Sequence, residues 1–336
     1  MQDPQAGWVR WLQDLMPSSP REETPALAPE PRQLALALGG GGGKGSAHIG
    51  VLQVLEELDI TPDLIVGTSA GGAVAVLYAV GLSWEQICQV FRDTALRRIA
   101  TPDPTRTGLI GQRKLAAYLT GLLGDRTFAD LRIPCAVVAT DLASGQPVTI
   151  SDGPLVSALL ATTALPSIMP PVMRDGMILA DGGILNNLPI DVALALGAQK
   201  VIAVELNEAL PDFQLAPVEA ENPLARLALA PQQLAIANRA LALLIARTTE
   251  LYLQQHPPAL LLRPDVADIP TLDMSNPEKG QTAGVATARA AAEDLLALRS
   301  WRLGPPTDPA PPPARPRLPF TLPSWPQPDT PEEEII

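Results

Sequence analysis

From residue 34 to about 207, short apolar runs alternate with longer apolar stretches of helical spacing, and glycine marks several of the joins. LALAL (34–38), DLIVG (63–67), CAVVATDL (135–142), PVTIS (147–151), MILADGG (177–183) and KVIAVEL (200–206) have the length and texture of strands, the fifth of them entering a turn. AHIGVLQVLEEL (47–58), AGGAVAVLYAVG (70–81), a run near 155–162 and IDVALALG (190–197) have the spacing of helices. Strands alternating with helices predict an α/β fold: a mostly parallel sheet with both faces covered.

The rest of the chain divides around that core. Residues 1–33 form a preface in which Trp8, Trp11, Leu12 and Leu15 make one helical stripe, followed by a proline-rich linker. The stripe suits peripheral membrane contact, packing on the protein's own surface, or a partner. Residues 208–303 read as a helical extension: an acidic loop (208–223), a long apolar helix (224–254) with a break near Pro231, a further strand in ALLLRPDV (259–266) and a closing helix (280–301). Residues 304–336 are proline-rich and are expected to be extended or disordered.

At 336 residues the chain is long enough for one large domain with appendages, and 46% apolar residues supply a sizeable core. The net charge of −12 argues against a nucleic-acid partner and against docking on anionic lipid; neutral or zwitterionic membranes stay open. Cys88 and Cys135 each lie in an apolar run and read as reduced core thiols, which fits a cytoplasmic protein. Neither a signal-peptide pattern nor an apolar run of about 18 residues is seen.

The glycine run Gly39–Gly43, with Lys44 and Gly45, admits three readings. A P-loop would need glycine where Leu38 stands and Ser or Thr where Gly45 stands. A dinucleotide fingerprint is met by Gly40, Gly42 and Gly45, but the next strand ends in Gly67-Thr68-Ser69 without the acidic residue that would hold a ribose. The third reading is an oxyanion hole: consecutive glycines leave backbone N–H groups unshielded, and the following helix adds positive potential. Gly40, Gly41, Gly42 and Gly43 are its candidate donors, with Lys44 and Gly45 supporting the loop.

Gly67-Thr68-Ser69-Ala70-Gly71 matches G-x-S-x-G with an apolar strand before it and an apolar helix after it. Ser69 is the candidate nucleophile, and Gly67 and Gly71 permit the sharp turn. A serine needs a base, and neither histidine suits. His48 falls in the first turn of a helix and reads as a packing residue; His256 sits in QQHPP, a surface-like segment. A carboxylate is therefore expected to accept the serine proton. Asp181 is favoured: it ends a strand and is followed by Gly182-Gly183, which allow close backbone approach. The rival, Asp141, precedes LASG and reads as a turn residue. A free Asp, with a pKa of about 3.9, is a poor base, so burial is expected to raise that of Asp181.

Six segments in order now resemble the bacterial patatin-like phospholipases, over roughly residues 34–207: GGGGKG (40–45), AHIGVLQVLEE (47–57), GTSAG (67–71), IPCAVVATDLASG (133–145), ALLATTALPSIMPPV (158–172) and DGGILNNLPIDVALALGA (181–198). The resemblance implies a three-layer α/β/α fold. It also implies lipid acyl hydrolysis by a Ser69–Asp181 dyad, with the oxyanion on the Gly41 and Gly42 amides and their neighbours. It implies a lipid or lysophospholipid substrate and no metal or cofactor. The departures are a longer glycine run, the Thr162-Thr163 pair and the proline-rich termini. A fold-keeping lipid-binding protein without turnover is the alternative, and a dinucleotide-binding oxidoreductase the next. Arg97, Arg98, Arg106, Arg113 and Lys114 form a local basic stretch, read either as a contact for a lipid phosphate or as a solvated lid-like loop.

Overall fold

The computed structural model describes residues 33–207 and 231–303; the N-terminal Trp stripe, the acidic loop and the proline-rich tail lie outside them. Among the described residues eight strands form one sheet: β1 (Leu34–Leu38), β2 (Leu64–Thr68), β3 (Cys135–Asp141), β4 (Gln146–Ile150), β5 (Val172–Arg174), β6 (Met177–Asp181), β7 (Lys200–Val204) and β8 (Leu260–Leu262). Their order is β5-β6-β3-β2-β1-β7-β8, with β4 paired to β3 off this path. β3, β2, β1, β7 and β8 run parallel; β4, β5 and β6 make the antiparallel pairings.

β1, β2 and β3 are buried along their whole length, which is why they read as unbroken apolar runs. The Leu/Ala alternation of β1 sorts residues between the faces. Leu34, Leu36 and Leu38 join one core with Ile65, Val137 and Val204. Ala35 and Ala37 join a second with Val66, Val138 and Ala203. Helices α1 (Ser46–Glu57), α2 (Ala70–Ala79), α3 (Trp84–Asp93), α5 (Arg113–Leu123) and α6 (Leu155–Thr162) bury residues in the first core. The short α4 spans Leu96–Ile99. α7 (Ile190–Ala195) covers the second face with Leu253 of α8 (Pro231–Gln255). The result is a three-layer α/β/α arrangement. Among the described residues, no helix is long and apolar enough to cross a membrane.

Cys88 and Cys135 are buried free thiols. Burial pushes Cys88 up to about 11, and Cys135 is raised by the same cause.

Two readings are corrected. The basic stretch ending at Arg113-Lys114 opens α5, whose Leu115, Tyr118, Leu119, Leu122 and Leu123 are buried at helical spacing; that part is packed helix, not solvated loop. The closing helix is two: α9 (Pro277–Ala290) and α10 (Ala292–Leu303), parted at Ala291, whose N–H is shared between the Thr287 and Ala288 carbonyls. Pro231 begins the described part of α8, and the stretch 224–230 expected to precede it lies outside the described residues.

The C-terminal segment is built into the core. β8 extends the sheet beside β7, and α9 packs on α1. The helices approach so closely that a Cβ added at Gly284 would stand 2.0 Å from Ala47 O, and one at Gly50 2.0 Å from Gln281 O.

Candidate active site

Sheet register assembles the site. Thr68 is opposite Val138, and the next residue of β3, Ala139, is opposite Asp181. β3 therefore stands between the strand that ends before Ser69 and the strand that ends in Asp181. β1, parallel to β2, delivers the glycine run to the same edge. Three turns far apart in sequence thus open together.

Ser69 has φ 54° and ψ −123°, a conformation rarely tolerated outside glycine. It is held by tertiary contacts: Ser69 N donates to Thr162 Oγ1 (2.9 Å), whose hydroxyl donates to Val138 O (2.6 Å). The flanking glycines answer to space. A Cβ at Gly67 would lie 2.4 Å from Gly71 O. Ser69 Oγ donates to Asp181 Oδ2 at 2.5 Å, while Asp181 Oδ1 accepts from Gly183 N at 2.8 Å. Burial raises Asp181 to about 6; the bonds from Ser69 and Gly183 oppose the shift. Gly182 lies against β3, where a Cβ would be 2.3 Å from Val138 O.

Asp141 is occupied differently. It accepts from Ala143 N, Ser144 N, Ser144 Oγ and Ile178 N, and the Ser144 hydroxyl leads these bonds in lowering it to about 2. It is the anchor of the β3–β4 turn.

The four glycines proposed as donors are not equivalent. Gly40 N donates to Asn187 O (3.0 Å), and Gly43 N to Thr271 O (2.8 Å), so neither is aimed at a ligand. Gly41 and Gly42 both line the cavity over Ser69, and Gly42 has the positive φ, 58°. Lys44 is buried, its pKa lowered by burial against the opposing charge of Glu205. At Gly45 an added Cβ would stand 2.5 Å from Ala70 Cβ, so this position seats the loop on α2.

His48 is fully buried, with Nε2 2.7 Å from Gly39 O, and burial lowers it to about 4. It braces the glycine run as a neutral ring. Between pH 6.5 and 4 the unfolded chain takes up a proton that the folded ring refuses. Stability is therefore expected to fall by about 3 kcal/mol as pH drops through that window. His48→Gln should flatten this dependence, read as Tm at pH 7 and pH 4.5. His256 follows α8, its ring tilted against that of Tyr252, and is off the cavity wall.

Two contributors escaped sequence reading. Asn187 donates to Gly40 O (3.4 Å), and its Oδ1 lies where a side chain at Gly40 or Gly183 would have to go; it wedges the glycine loop against the Asp181 turn. Asn207 donates to the same Gly40 O (2.6 Å). Above Ser69 lies a cavity of about 250 Å³. Its wall includes Ala73, Leu77, Phe91, Leu119 and Leu159, with Leu241 and Ile245 of α8. Arg98, Arg106, Arg113 and Lys114 do not line it, and Arg98 is paired with Asp93.

Fold and site together define an α/β protein with a serine on a strained strand-to-helix turn beside a buried carboxylate. Residues 36–194, just under half of the chain, match the family described as Patatin-like phospholipase. It is 33% identical over 177 residues to an uncharacterized NTE family protein of Mycobacterium tuberculosis, covering 52% of this chain and 49% of that one. It is 34% identical over 181 residues to human patatin-like phospholipase domain-containing protein 6, covering 52% of this chain and 13% of that protein. The chain thus spans about half the length of the mycobacterial relative it matches. Among solved structures it is similar to VipD from Legionella pneumophila, with TM-score 0.42 and 16% identity over 80% of this chain and 67% of that one.

Proposed function

We propose that this protein is a serine lipid acyl hydrolase, with Ser69 as nucleophile and Asp181 as its base. The observation that carries the reading is the 2.5 Å hydrogen bond from Ser69 Oγ to Asp181 Oδ2 beneath an apolar cavity. Ser69 Oγ attacks the acyl carbonyl carbon as its proton passes to Asp181. The carbonyl oxygen becomes an oxyanion held by the Gly41 and Gly42 amides. Collapse expels the alcohol, which takes the proton from Asp181 and leaves the acyl group on Ser69. Water then attacks this ester with Asp181 again accepting the proton; as the bond to Ser69 breaks, that proton passes to Ser69 Oγ and the carboxylic acid departs. A carboxylate raised to about 6 is a better base than a free one and is still ionised at neutral pH.

The relatives' name, patatin-like phospholipase, supports lipid acyl esters as the substrate class. In this reading residues 34–207 carry the chemistry, and 231–303 close the cavity and brace the glycine loop. The test is a fluorophosphonate probe on the folded protein. Wild type is expected to label, and Ser69→Ala to lose labelling completely. A Ser69→Ala variant that labels like wild type would remove Ser69 from the mechanism.

A further inference from the structure

We infer that the site takes uncharged acyl esters of medium chain length, such as glycerol monoesters, in preference to phosphate-bearing lipids; this rests on the acyl-hydrolase reading above. Chemistry is sorted along the cavity wall. Helices α2, α3, α5 and α6 contribute Ala73, Leu77, Phe91, Leu119 and Leu159, a hydrocarbon surface. Polar groups gather instead around the glycine loop, where Asn187 and Asn207 both bond to Gly40 O and Thr271 O receives the Gly43 amide. Asn238 of α8 lines the same cavity. The acyl chain belongs among the apolar helices, and the alcohol half of the ester beside the neutral amides.

Charge decides what that alcohol is. Of the described residues on the wall, Asp181 is the one ionisable group, and its carboxylate serves Ser69 and Gly183. Among the described residues of this wall a phosphate would meet no cationic side chain and would approach an acid, and burying an unpaired ion is heavily disfavoured. Three nearby arginines are matched elsewhere. Arg247 and Arg263 line a separate cavity with Glu205 and Glu250, and pair with them at 2.5 Å (Arg247–Glu250) and 3.8 Å (Arg263–Glu205). Arg98 pairs with Asp93. An amide-lined, uncharged alcohol side suits hydroxyls, which both donate and accept.

One dimension sets the chain length. Ala73 and Leu77 stand one and two turns along α2 from Ser69, so the wall extends about 12 Å from the nucleophile at 1.5 Å per residue. That length suits an extended chain of roughly eight to ten carbons.

The experiment compares kcat/KM, below micelle-forming concentrations, for glycerol monoesters of four, eight and sixteen carbons and for octanoyl lysophosphatidylcholine. Each buried methylene is worth about fourfold, so the octanoyl glycerol ester is expected to exceed the butyryl ester by at least 10-fold, and the palmitoyl ester to gain nothing more. Octanoyl lysophosphatidylcholine is expected to run at least 10-fold slower than its glycerol counterpart. Leu77→Trp should shift the optimum to the four-carbon ester. A lysophospholipid that matches or beats the glycerol ester overturns the inference, as does a rate still climbing at sixteen carbons, while the hydrolase reading survives. Failure to cleave any of these esters, together with failure to label Ser69, sinks both.

Discussion

Asp181→Asn should lower kcat by a factor of about 10²–10⁴, the usual contribution of a general base, and should melt at a higher temperature than wild type at pH 8. The two effects share one cause. Asp181 is raised to about 6 by burial, against about 3.9 in an unfolded chain. Between those values the folded protein holds a proton that the unfolded chain releases. Stability therefore falls as pH rises through the window, by about 3 kcal/mol once the carboxyl is ionised in both states. Asparagine removes the buried charge. Its oxygen can keep the Gly183 amide, and its NH₂ can turn to Ser69 Oγ. The gain in Tm should be several degrees at pH 8 and shrink towards pH 4. Wild-type activity should rise with pH to a plateau above about 6, where the base is ionised. A variant that keeps more than a tenth of wild-type kcat would show that Asp181 is not the base.

Gly71→Ala is the second large effect, and here the loss is structural. A Cβ at this position would stand 2.3 Å from Leu38 O and 2.6 Å from Gly39 O. Both are backbone atoms, so no side chain can swing aside; α2 would have to lift off the end of β1. A destabilisation of about 3 kcal/mol or more is expected, with most of the protein insoluble. Gly145→Ala is the control. Gly145 has φ 68° but nothing within 4 Å of an added Cβ, so it carries only left-handed backbone strain of about 1–2 kcal/mol. Equal losses in the two variants, measured by denaturant unfolding, would contradict the steric account.

Sequence reading reached the central strands because β1, β2 and β3 are buried on both faces, which leaves unbroken apolar runs. Ser69 was legible for a local reason: the strand, the glycines and the helix that shape its turn are contiguous. Asp181 emerged from the poverty of histidine and from its place at a strand end. α3 was missed although Ser83 and Gln86 form a capping box, with Gln86 N bonded to Ser83 Oγ and Ser83 N to Gln86 Oε1; that S-x-x-Q spacing was available to read. α5 was hidden because Arg113 and Lys114 drew attention from the leucines behind them. Thr162 and Asn187 were beyond local pattern. Thr162 meets Ser69 across 93 residues, and Asn187 meets Gly40 across 147. A threonine or asparagine carries no mark of such a partner. Gly280 and Gly284 have the same character: their spacing acquires meaning only with Ser46 and Ala47 of α1 against them.

That helix contact bears on how the protein comes off the ribosome. Gly42 and Gly43 rest against the backbone of Thr271 and Asp273, and α9 then closes on α1. The loop is translated roughly 230 residues before its support, an interval of roughly 10–45 s at about 5–20 residues per second. Through that interval Ser69 can already be synthesised while the amides opposite it lack their backing. A nascent chain of this protein is therefore expected to hold Ser69, the proposed nucleophile, beside an unsupported glycine loop until α9 (Pro277–Ala290) has been made and has closed on α1.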